Sequence, residues 1–191
     1  MKKKILYLMH VDWHWIKQRP HFLAEELSKD FDLVIAHPRN RRRELLVLNS
    51  TALFTIPLLA LPLSRFKFIS TINEAIRQMY HLGLLLLYRP SVIWITYPTV
   101  TSNFVLSLVK NKVIVYDCMD DAPQFKEAEH EKALILNKEK HLLSRADIVL
   151  VSSQNLWEKV LARGANASTV TIVRNAFGGI FHEEGTLRSA T

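Results

Sequence analysis

The sequence predicts an α/β domain of three layers, in which helices cover both faces of a mainly parallel β-sheet. Its 191 residues are 49% hydrophobic and include only 5 glycines and 7 prolines, the composition of one packed globular domain. Short apolar runs of strand length alternate with amphipathic stretches of helical periodicity. Strands that are buried on both faces and joined by helices require right-handed crossovers, so this alternation indicates a parallel sheet.

The amino-terminal half begins this alternation. Residues 5–9 form an apolar run of strand length, and Pro20 stands where it can open the helix that follows. A second β-rich run covers residues 31–36. Residues 68–87 have the length and composition of a long helix. The order strand, helix, strand and helix is typical of a parallel sheet.

Residues 44–63 are the least regular part of the predicted domain. They are expected to hold one or two strands bounded by Pro57 and Pro62, although apolar periodicity alone does not distinguish a strand from a buried helix. The stretch 45–63 is also the most membrane-like one. It contains polar residues and two prolines, whereas a spanning helix needs roughly 20 predominantly apolar residues, so we interpret it as buried strands and a turn.

The carboxyl-terminal half continues the pattern to residue 177. A strand is predicted at 92–96, and Thr99 or Thr101 is expected to cap the next helix. Ser153 is predicted to cap a later helix that Gly164 closes. Further strands are predicted at 112–116, 148–151 and 169–173. We therefore expect a domain over residues 1–177, followed by a linker or tail over 178–191, where periodicity is lost.

Charge and cysteine content limit the partners and the compartment. The single cysteine, Cys118, cannot form an internal disulfide, which fits a reducing cytoplasm. A net charge of +7 indicates an anionic partner. The basic residues lack the interleaved aromatics of single-strand binders, so nucleic acid is less favoured than a phosphorylated substrate or the inner membrane surface. A basic cluster next to the apolar 45–63 segment could meet anionic headgroups: Arg39, Arg41, Arg42 and Arg43.

Candidate functional residues follow the predicted strands. In an open parallel sheet, ligands bind outside the carboxyl ends of the strands, where loops and helix amino termini converge. Polar or aromatic residues stand at these places after six strands, among them Trp13, His37 and Ser153. We expect five such residues from different loops to line one cleft: Asp12, Tyr97, Asp117, Asp120 and Asn175. Asp121, just before Ala122 and Pro123, is expected to act as a helix N-cap.

Several chemistries are disfavoured by the same residues. Residues 10–20 contain no glycine, which argues against a dinucleotide-binding turn and a phosphate-binding P-loop, so no cofactor is predicted. Asp117, Asp120 and Asp121 could hold Mg²⁺ or Mn²⁺, but no second ligand cluster is visible and no metal site is predicted. Glu139 falls on a buried helix face, where we expect it to accept hydrogen bonds from loop amides rather than to act in catalysis.

Two stretches, DWHWIKQRPHFLA at 12–24 and VYDCMDD at 115–121, resemble bacterial GT-B glycosyltransferases of the family-4 (group 1) type. In that family a QRP-type motif opens the first helix, and a YD.MDD-like motif follows a strand in the middle of the domain. The region from Glu139 through ADIVLVSS at 146–153 to VRNAF at 173–177 is similar to the family's closing motifs. The resemblance covers most of the chain, and residues 40–90 contribute little to it.

The resemblance implies an amino-terminal, Rossmann-like acceptor domain that faces a second domain where the nucleotide-sugar binds. It implies transfer of a sugar to a surface polysaccharide or lipid-linked glycan, with this chain alone incomplete and inactive. The resemblance places acceptor contacts at Asp12, Trp13, Arg19, Tyr97, Asp117 and Asp120, and a structural or donor-side edge at Glu139, Ser153 and Asn175. Two alternatives stay open. One is a noncatalytic half that presents the acceptor or docks on a membrane and assembles with a separate catalytic subunit, and the other is a sugar-nucleotide epimerase of the same fold.

Overall fold

A computed structural model describes residues 2–39, 53–63 and 66–175, and it shows a seven-stranded sheet flanked by helices. The strands are β1 (Lys4–Leu8), β2 (Asp32–Pro38), β3 (Thr55–Leu58), β4 (Val92–Ile95), β5 (Val113–Cys118), β6 (Ile148–Val151) and β7 (Val170–Ile172). The helices are α1 (Arg19–Leu27), α2 (Lys67–Tyr88), α3 (Asn103–Leu108), α4 (Glu129–Leu143) and α5 (Gln154–Ala162). Two 3₁₀ turns cover Ala122–Phe125 and Ala167–Thr169.

The sheet has the order β3-β2-β1-β4-β5-β6-β7, and every neighbouring pair of strands is parallel. The predicted three-layer α/β fold with a parallel sheet is therefore confirmed. After β1 the chain moves to one side of the sheet, and after β4 it moves to the other side. The order reverses between these two central strands, which is the position where ligands bind in open α/β sheets.

Both faces of the sheet are buried, because alternate residues of each strand point to opposite sides. On one face Leu6, Ile93 and Tyr116 pack with side chains of α2 to α5. On the other face Tyr7, Ile35 and Trp94 pack with α1. The central strands consequently consist almost entirely of apolar residues, which is why their sequences predicted buried strands.

Within residues 44–63 the structure describes one strand, β3. Residues 40–52 are not among the residues that it describes. Pro57 was expected to bound a strand, but it lies inside β3 and pairs with His37 of β2. β3 is the edge strand of the described sheet, and proline is tolerated there because the missing N–H removes no hydrogen bond from the sheet interior. The predicted tail at 178–191 also lies outside the described residues.

One predicted helix cap is wrong, one is confirmed, and Asp121 occupies its predicted N-cap position before Ala122–Phe125 without the expected hydrogen bond. α3 is capped by Ser102, whose hydroxyl accepts a hydrogen bond from the Val105 amide at 3.1 Å, instead of by Thr99 or Thr101. Asp121 makes no capping hydrogen bond, because its carboxylate is held by ion pairs to α5. Ser153 caps α5 as predicted, accepting from the Leu156 amide at 3.2 Å.

Gly164 and Gly83 provide a matched test of backbone conformation. Gly164 ends α5 at φ +105°, where an L-residue is strained, whereas Gly83 has ordinary helical conformation within α2. An added Cβ meets no heavy atom within 4 Å at either position. We expect Gly164→Ala to lower the free energy of unfolding by about 1–2 kcal/mol, and Gly83→Ala to raise it by about 0.5–1 kcal/mol. Urea unfolding followed by circular dichroism measures both, and equal signs for the two variants contradict this account.

Candidate functional site

The switch point of the sheet is marked by two stacked rings. His10 follows β1 and Tyr97 follows β4, and their ring centroids are 5.1 Å apart at an interplanar angle of 26°. The Nδ1 atom of His10 lies 2.7 Å from the Thr96 hydroxyl oxygen. Burial lowers the pKa of His10 to about 4, with a smaller contribution from His21, so its imidazole is neutral at physiological pH. The rings of His10 and Tyr97 therefore form a fixed, uncharged wall at the point where the strand order reverses.

A cleft of about 530 Å³ opens beside these rings, within the size range of small-molecule sites. Its wall combines the loops after β1, β3 and β4 and the end of β2 with α4 and the amino-terminal half of α2. Polar lining side chains come mainly from the helices: Ser70, Asn73, Glu74, Arg77, Lys126, Glu131 and Lys138. Apolar lining includes Leu58, Leu59, Leu134 and Ile135. Tyr97 lines this cleft as predicted, but Asp12, Asp117, Asp120 and Asn175 are not among its lining residues, because the cleft opens toward α2 and α4.

Arg19 and Asp117 form a buried ion pair beyond the switch point. The Arg19 Nη2 and Nε atoms donate to Asp117 Oδ1 at 3.0 and 3.1 Å, and the two side chains are only 8% and 0% exposed. Arg19 Nη1 also donates to the Val173 carbonyl at 2.7 Å and to Asn175 Oδ1 at 2.9 Å. One guanidinium therefore joins the start of α1 to the ends of β5 and β7.

The pKa of Asp117 is raised, because the effect of burial exceeds that of its partner Arg19. Burial raises the pKa of Asp117, and the hydrogen bond and charge of Arg19 act in the opposite direction. Burial likewise raises the pKa of Asp120, which Arg19 lowers in part. Asp120 stays exposed to solvent at this edge, whereas Asp117 is fully enclosed. Asp120 is thus accessible to a ligand, and Asp117 is occupied by Arg19.

The loop after β1 is fixed by two histidines, His37 of β2 and His21 of α1, of which only His37 was expected from the sequence to lie at this edge. The Trp13 amide donates to His37 Nδ1 at 3.1 Å, and the Trp13 carbonyl lies 3.2 Å from His21 Nε2. His21 is the third residue of α1, and its Nδ1 accepts from the Gln18 amide at 3.1 Å. The indole of Trp13 is buried beside His21, so it supports the loop from below. Asp12 accepts from the His14 amide at 3.1 Å.

Glu139 is fully buried, and its hydrogen-bond donors differ from those expected. Its carboxylate accepts from the Tyr116 hydroxyl at 2.9 Å and from Arg163 Nη1 at 2.9 Å, not from loop amides. Arg163 Nη2 donates in turn to Asp121 at 2.6 Å. The sequence pattern correctly placed Glu139 inside the domain. The role of Arg163 was missed, because nothing in the local sequence of α5 indicates a partner 24 residues away.

The Asp117, Asp120 and Asp121 carboxylates do not converge. Burial raises the pKa of Asp121, but hydrogen bonds from Lys159 and Arg163 outweigh this effect and leave the pKa lowered. Asp117 is bound by Arg19, and Asp120 is directed to solvent. Within the described ranges no group of three or more His, Cys, Asp or Glu side chains is arranged to hold a metal ion.

The remaining sequence candidates fall into two groups. Ser153 and Asn175 lie after β6 and β7 at the same edge of the sheet, where Ser153 caps α5 and Asn175 binds Arg19. Arg39 is exposed just after β2, and the other members of the basic cluster, Arg41, Arg42 and Arg43, lie outside the described residues. No helix in the described part of the chain combines the length and apolar character needed to cross a bilayer.

No protein-family model matches the sequence, and no curated protein sequence matches it either. Solved structures share its fold. Sucrose-phosphate synthase from Thermosynechococcus elongatus is 15% identical over 91% of this chain and 48% of its own, with a TM-score of 0.63. The UDP-N-acetylglucosamine 2-epimerase of Rickettsia bellii is 10% identical over 90% of this chain and 44% of its own, with a TM-score of 0.59. Anabaena HepE, in complex with UDP and glucose, is 12% identical over 93% of this chain and 45% of its own, with a TM-score of 0.54.

These similarities show the fold. The chain has the Rossmann-like architecture of the amino-terminal domain of GT-B proteins, as the QRP-type and YD.MDD-like motifs led us to expect. It spans less than half the length of the three structures just described. The fold class includes both transferases and epimerases of sugar nucleotides, so it does not by itself select one reaction.

We expect Asp117→Asn to lower the free energy of unfolding by about 3 kcal/mol or more, because it leaves the Arg19 guanidinium buried without a counter-charge. Glu129→Gln removes the carboxylate of an exposed pair with Lys132 and is expected to change stability little. Urea unfolding of both variants by circular dichroism tests the difference. A loss below about 1 kcal/mol for Asp117→Asn contradicts the assigned role of the ion pair.

Proposed function

We propose that this chain is the acceptor-side half of an enzyme that transfers a sugar from a nucleotide-sugar donor to a glycan or lipid-linked acceptor. The observation that carries the proposal is the cleft of about 530 Å³ at the switch point of a GT-B-type sheet. The fold is shared with sucrose-phosphate synthase and with HepE. The motifs at 12–24 and 115–121 favour the transferase class over the epimerases.

Within this proposal the six acceptor-side residues divide by accessibility. Tyr97 lines the cleft, and Asp120 is exposed at the same edge, so these two contact the acceptor. Arg19 and Asp117 are buried in their ion pair and position the loops after β5 and β7. Asp12 and Trp13 shape the loop after β1, through the His14 amide and through His37 and His21. Substrate contact and loop positioning are therefore assigned to different residues.

The donor is proposed to bind to a second domain that faces this edge of the sheet. HepE was solved with UDP and glucose and with UDP-glucose, and Staphylococcus aureus MnaA with UDP, and this chain covers 44–45% of those proteins. In the proposed enzyme, backbone dipoles and basic groups hold the donor diphosphate without a metal ion. Ser153 and Asn175, at the ends of β6 and β7, lie on the side proposed to face the donor domain. The reaction is proposed to take place in the cytoplasm.

We expect the isolated chain to fold but to transfer no sugar, and calorimetry with UDP-glucose to detect little or no binding. The same chain joined to a GT-B donor domain is expected to transfer sugar. In that longer protein, Tyr97→Ala should raise the acceptor KM by about tenfold and leave the donor KM unchanged. The control is Tyr80→Ala in α2, outside the cleft lining. Turnover by the isolated chain contradicts the half-enzyme proposal. If the longer protein instead catalyses 2-epimerisation of a nucleotide sugar without transfer, the epimerase alternative is correct.

A second function, docking on an anionic membrane, is favoured by the orientation of α2. Ser70, Asn73 and Arg77 of this helix face the cleft. Phe68, Met79 and Leu86, which share one helical face, are 76%, 71% and 72% exposed. The amino-terminal half of α2 thus presents polar side chains to the cleft, and its carboxyl-terminal half packs Leu84 and Leu85 against the core. A row of further apolar side chains on the helix is left facing solvent, which is unusual for a surface helix.

The charges around this outward face fit an anionic lipid surface. Lys67 and Arg89 flank α2 and are both exposed, and Glu74, the helix's single acidic residue, lines the cleft. Arg39, exposed after β2, belongs to the basic cluster. Each cation near an anionic bilayer contributes about 1 kcal/mol, and a net charge of +7 opposes the alternative pairing of two copies through this face. The membrane would hold the domain close to a lipid-linked acceptor.

We expect the chain to cosediment with vesicles of phosphatidylglycerol and phosphatidylcholine more strongly than with phosphatidylcholine alone. Phe68→Gln combined with Leu86→Gln should reduce this binding, and replacing Arg41, Arg42 and Arg43 with Glu should reduce it further. Phe22→Gln, on α1 at the opposite face of the sheet, is the control and should bind normally. Unchanged binding by both test variants removes the hypothesis. Self-association that Phe68→Gln and Leu86→Gln abolish would assign the face to a second copy.

A further inference from the structure

The charges that line the cleft do not balance. Arg77, Lys126 and Lys138 are cationic, and Glu74 and Glu131 are anionic, which leaves an excess of one positive charge. Glu74 forms an ion pair with Arg77, and Glu131 lies 3.5 Å from Lys126. Lys138 has no ion pair among the residues that the structure describes, although it is half-buried. A cation that is partly removed from water gains from an anionic partner, so Lys138 is available to an anion in the cleft.

Arg77 has hydrogen-bonding capacity to spare at the same place. One terminal nitrogen donates to Glu74, but its Nε–H is buried and has no partner within the described residues. Burial lowers the pKa of Lys138, and the charge of Arg77 lowers it further, so the two cations are close enough to repel each other. An anion placed between them would remove this repulsion and satisfy unpaired donors of both side chains.

The residues around the two cations indicate the chemistry of the rest of the ligand. Leu58 and Leu59 of the β3 end, with Leu134 and Ile135 of α4, supply apolar surface in the same cleft. His81 lies one turn beyond Arg77 in α2, and burial lowers its pKa to about 4, with Arg77 acting in the same direction. His81 is therefore neutral and adds no charge next to Arg77. The combination fits an anionic group attached to an apolar or sugar body.

We propose that Arg77 and Lys138 form a phosphate-binding subsite, which holds the phosphate of the acceptor in the cleft beside Tyr97. The assignment of this ligand as the acceptor rests on the proposed function, whereas phosphate binding itself does not. A phosphate on a lipid-linked acceptor and a phosphate on a free sugar present the same oxygens to the two cations. The guanidinium provides paired donors, and the ammonium provides a point charge.

Titration calorimetry of the 191-residue chain with octyl phosphate, below its micelle concentration, tests the subsite. Lys138→Gln is expected to weaken binding by about tenfold or more, because a charge-assisted hydrogen bond is lost. Lys140→Gln is the matched control, since Lys140 is an exposed lysine on the same helix that does not line the cleft. Equal affinity of Lys138→Gln and the parent chain overturns the proposal.

Glu74→Gln gives a test of opposite sign. It removes the carboxylate that competes for Arg77, so octyl phosphate should bind about threefold more tightly or better. A merely structural role of Glu74 would weaken binding through loss of order in α2. Weaker or unchanged binding by Glu74→Gln therefore counts against the subsite, and this variant decides the matter if Lys138→Gln fails to fold by circular dichroism.

Two further ligands identify the source of the phosphate. Octyl glucoside has the same alkyl chain without the charge, and binding equal to that of octyl phosphate overturns the proposal. Glucose 6-phosphate binding as tightly as octyl phosphate supports the subsite with a free sugar phosphate as ligand, and binding of octyl phosphate alone supports a lipid phosphate. If the predicted pattern holds but the chain joined to a donor domain transfers no sugar, the proposed function fails and the subsite stands.

Discussion

The carboxyl edge of the sheet depends on the guanidinium of Arg19. Its N–H groups reach Asp117 at the end of β5, the Val173 carbonyl beyond β7 and the Asn175 side chain. Val173 lies 154 positions from Arg19, so this set of contacts forms only when both ends of the domain are in place. Tyr7 of β1 donates to the Pro20 carbonyl at 3.1 Å, which fixes the start of α1 over the sheet. These contacts set the positions of the loops that carry the candidate site.

The cleft exists because the amino-terminal half of α2 presents polar side chains, and not large apolar ones, toward the sheet. A helix that packed its apolar side on the sheet would fill this volume with leucine and phenylalanine side chains. Here the carboxyl-terminal half of α2 packs Leu84 and Leu85 against the core, while its amino-terminal half presents Asn73 and Arg77 inward. One helix thus closes the core at one end and lines a polar chamber at the other, and the cost is an exposed apolar side.

Short-range patterns were sufficient for the fold. Apolar runs gave six of the seven strands, and the Ser153 and Gly164 boundaries of α5 follow from local capping chemistry. Contacts between distant residues were not predictable from the sequence. The pairing of Arg163 with Glu139 and Asp121 depends on how α5 lies across α4, and the capping of α3 depends on which of three neighbouring hydroxyls reaches Val105. Periodicity shows that α2 is amphipathic, but not which side faces the sheet.

Cys118 ends β5 beside the Glu139 carboxylate, and burial followed by that negative charge raises its pKa to about 12. The sulfur is therefore a neutral thiol enclosed in the core, where alkylating reagents and oxidants cannot attack it. Since the chain has no other cysteine, modification by a thiol reagent occurs only when β5 separates from its neighbours. The rate of that modification therefore reports how often the central sheet opens, and no label has to be added to the protein.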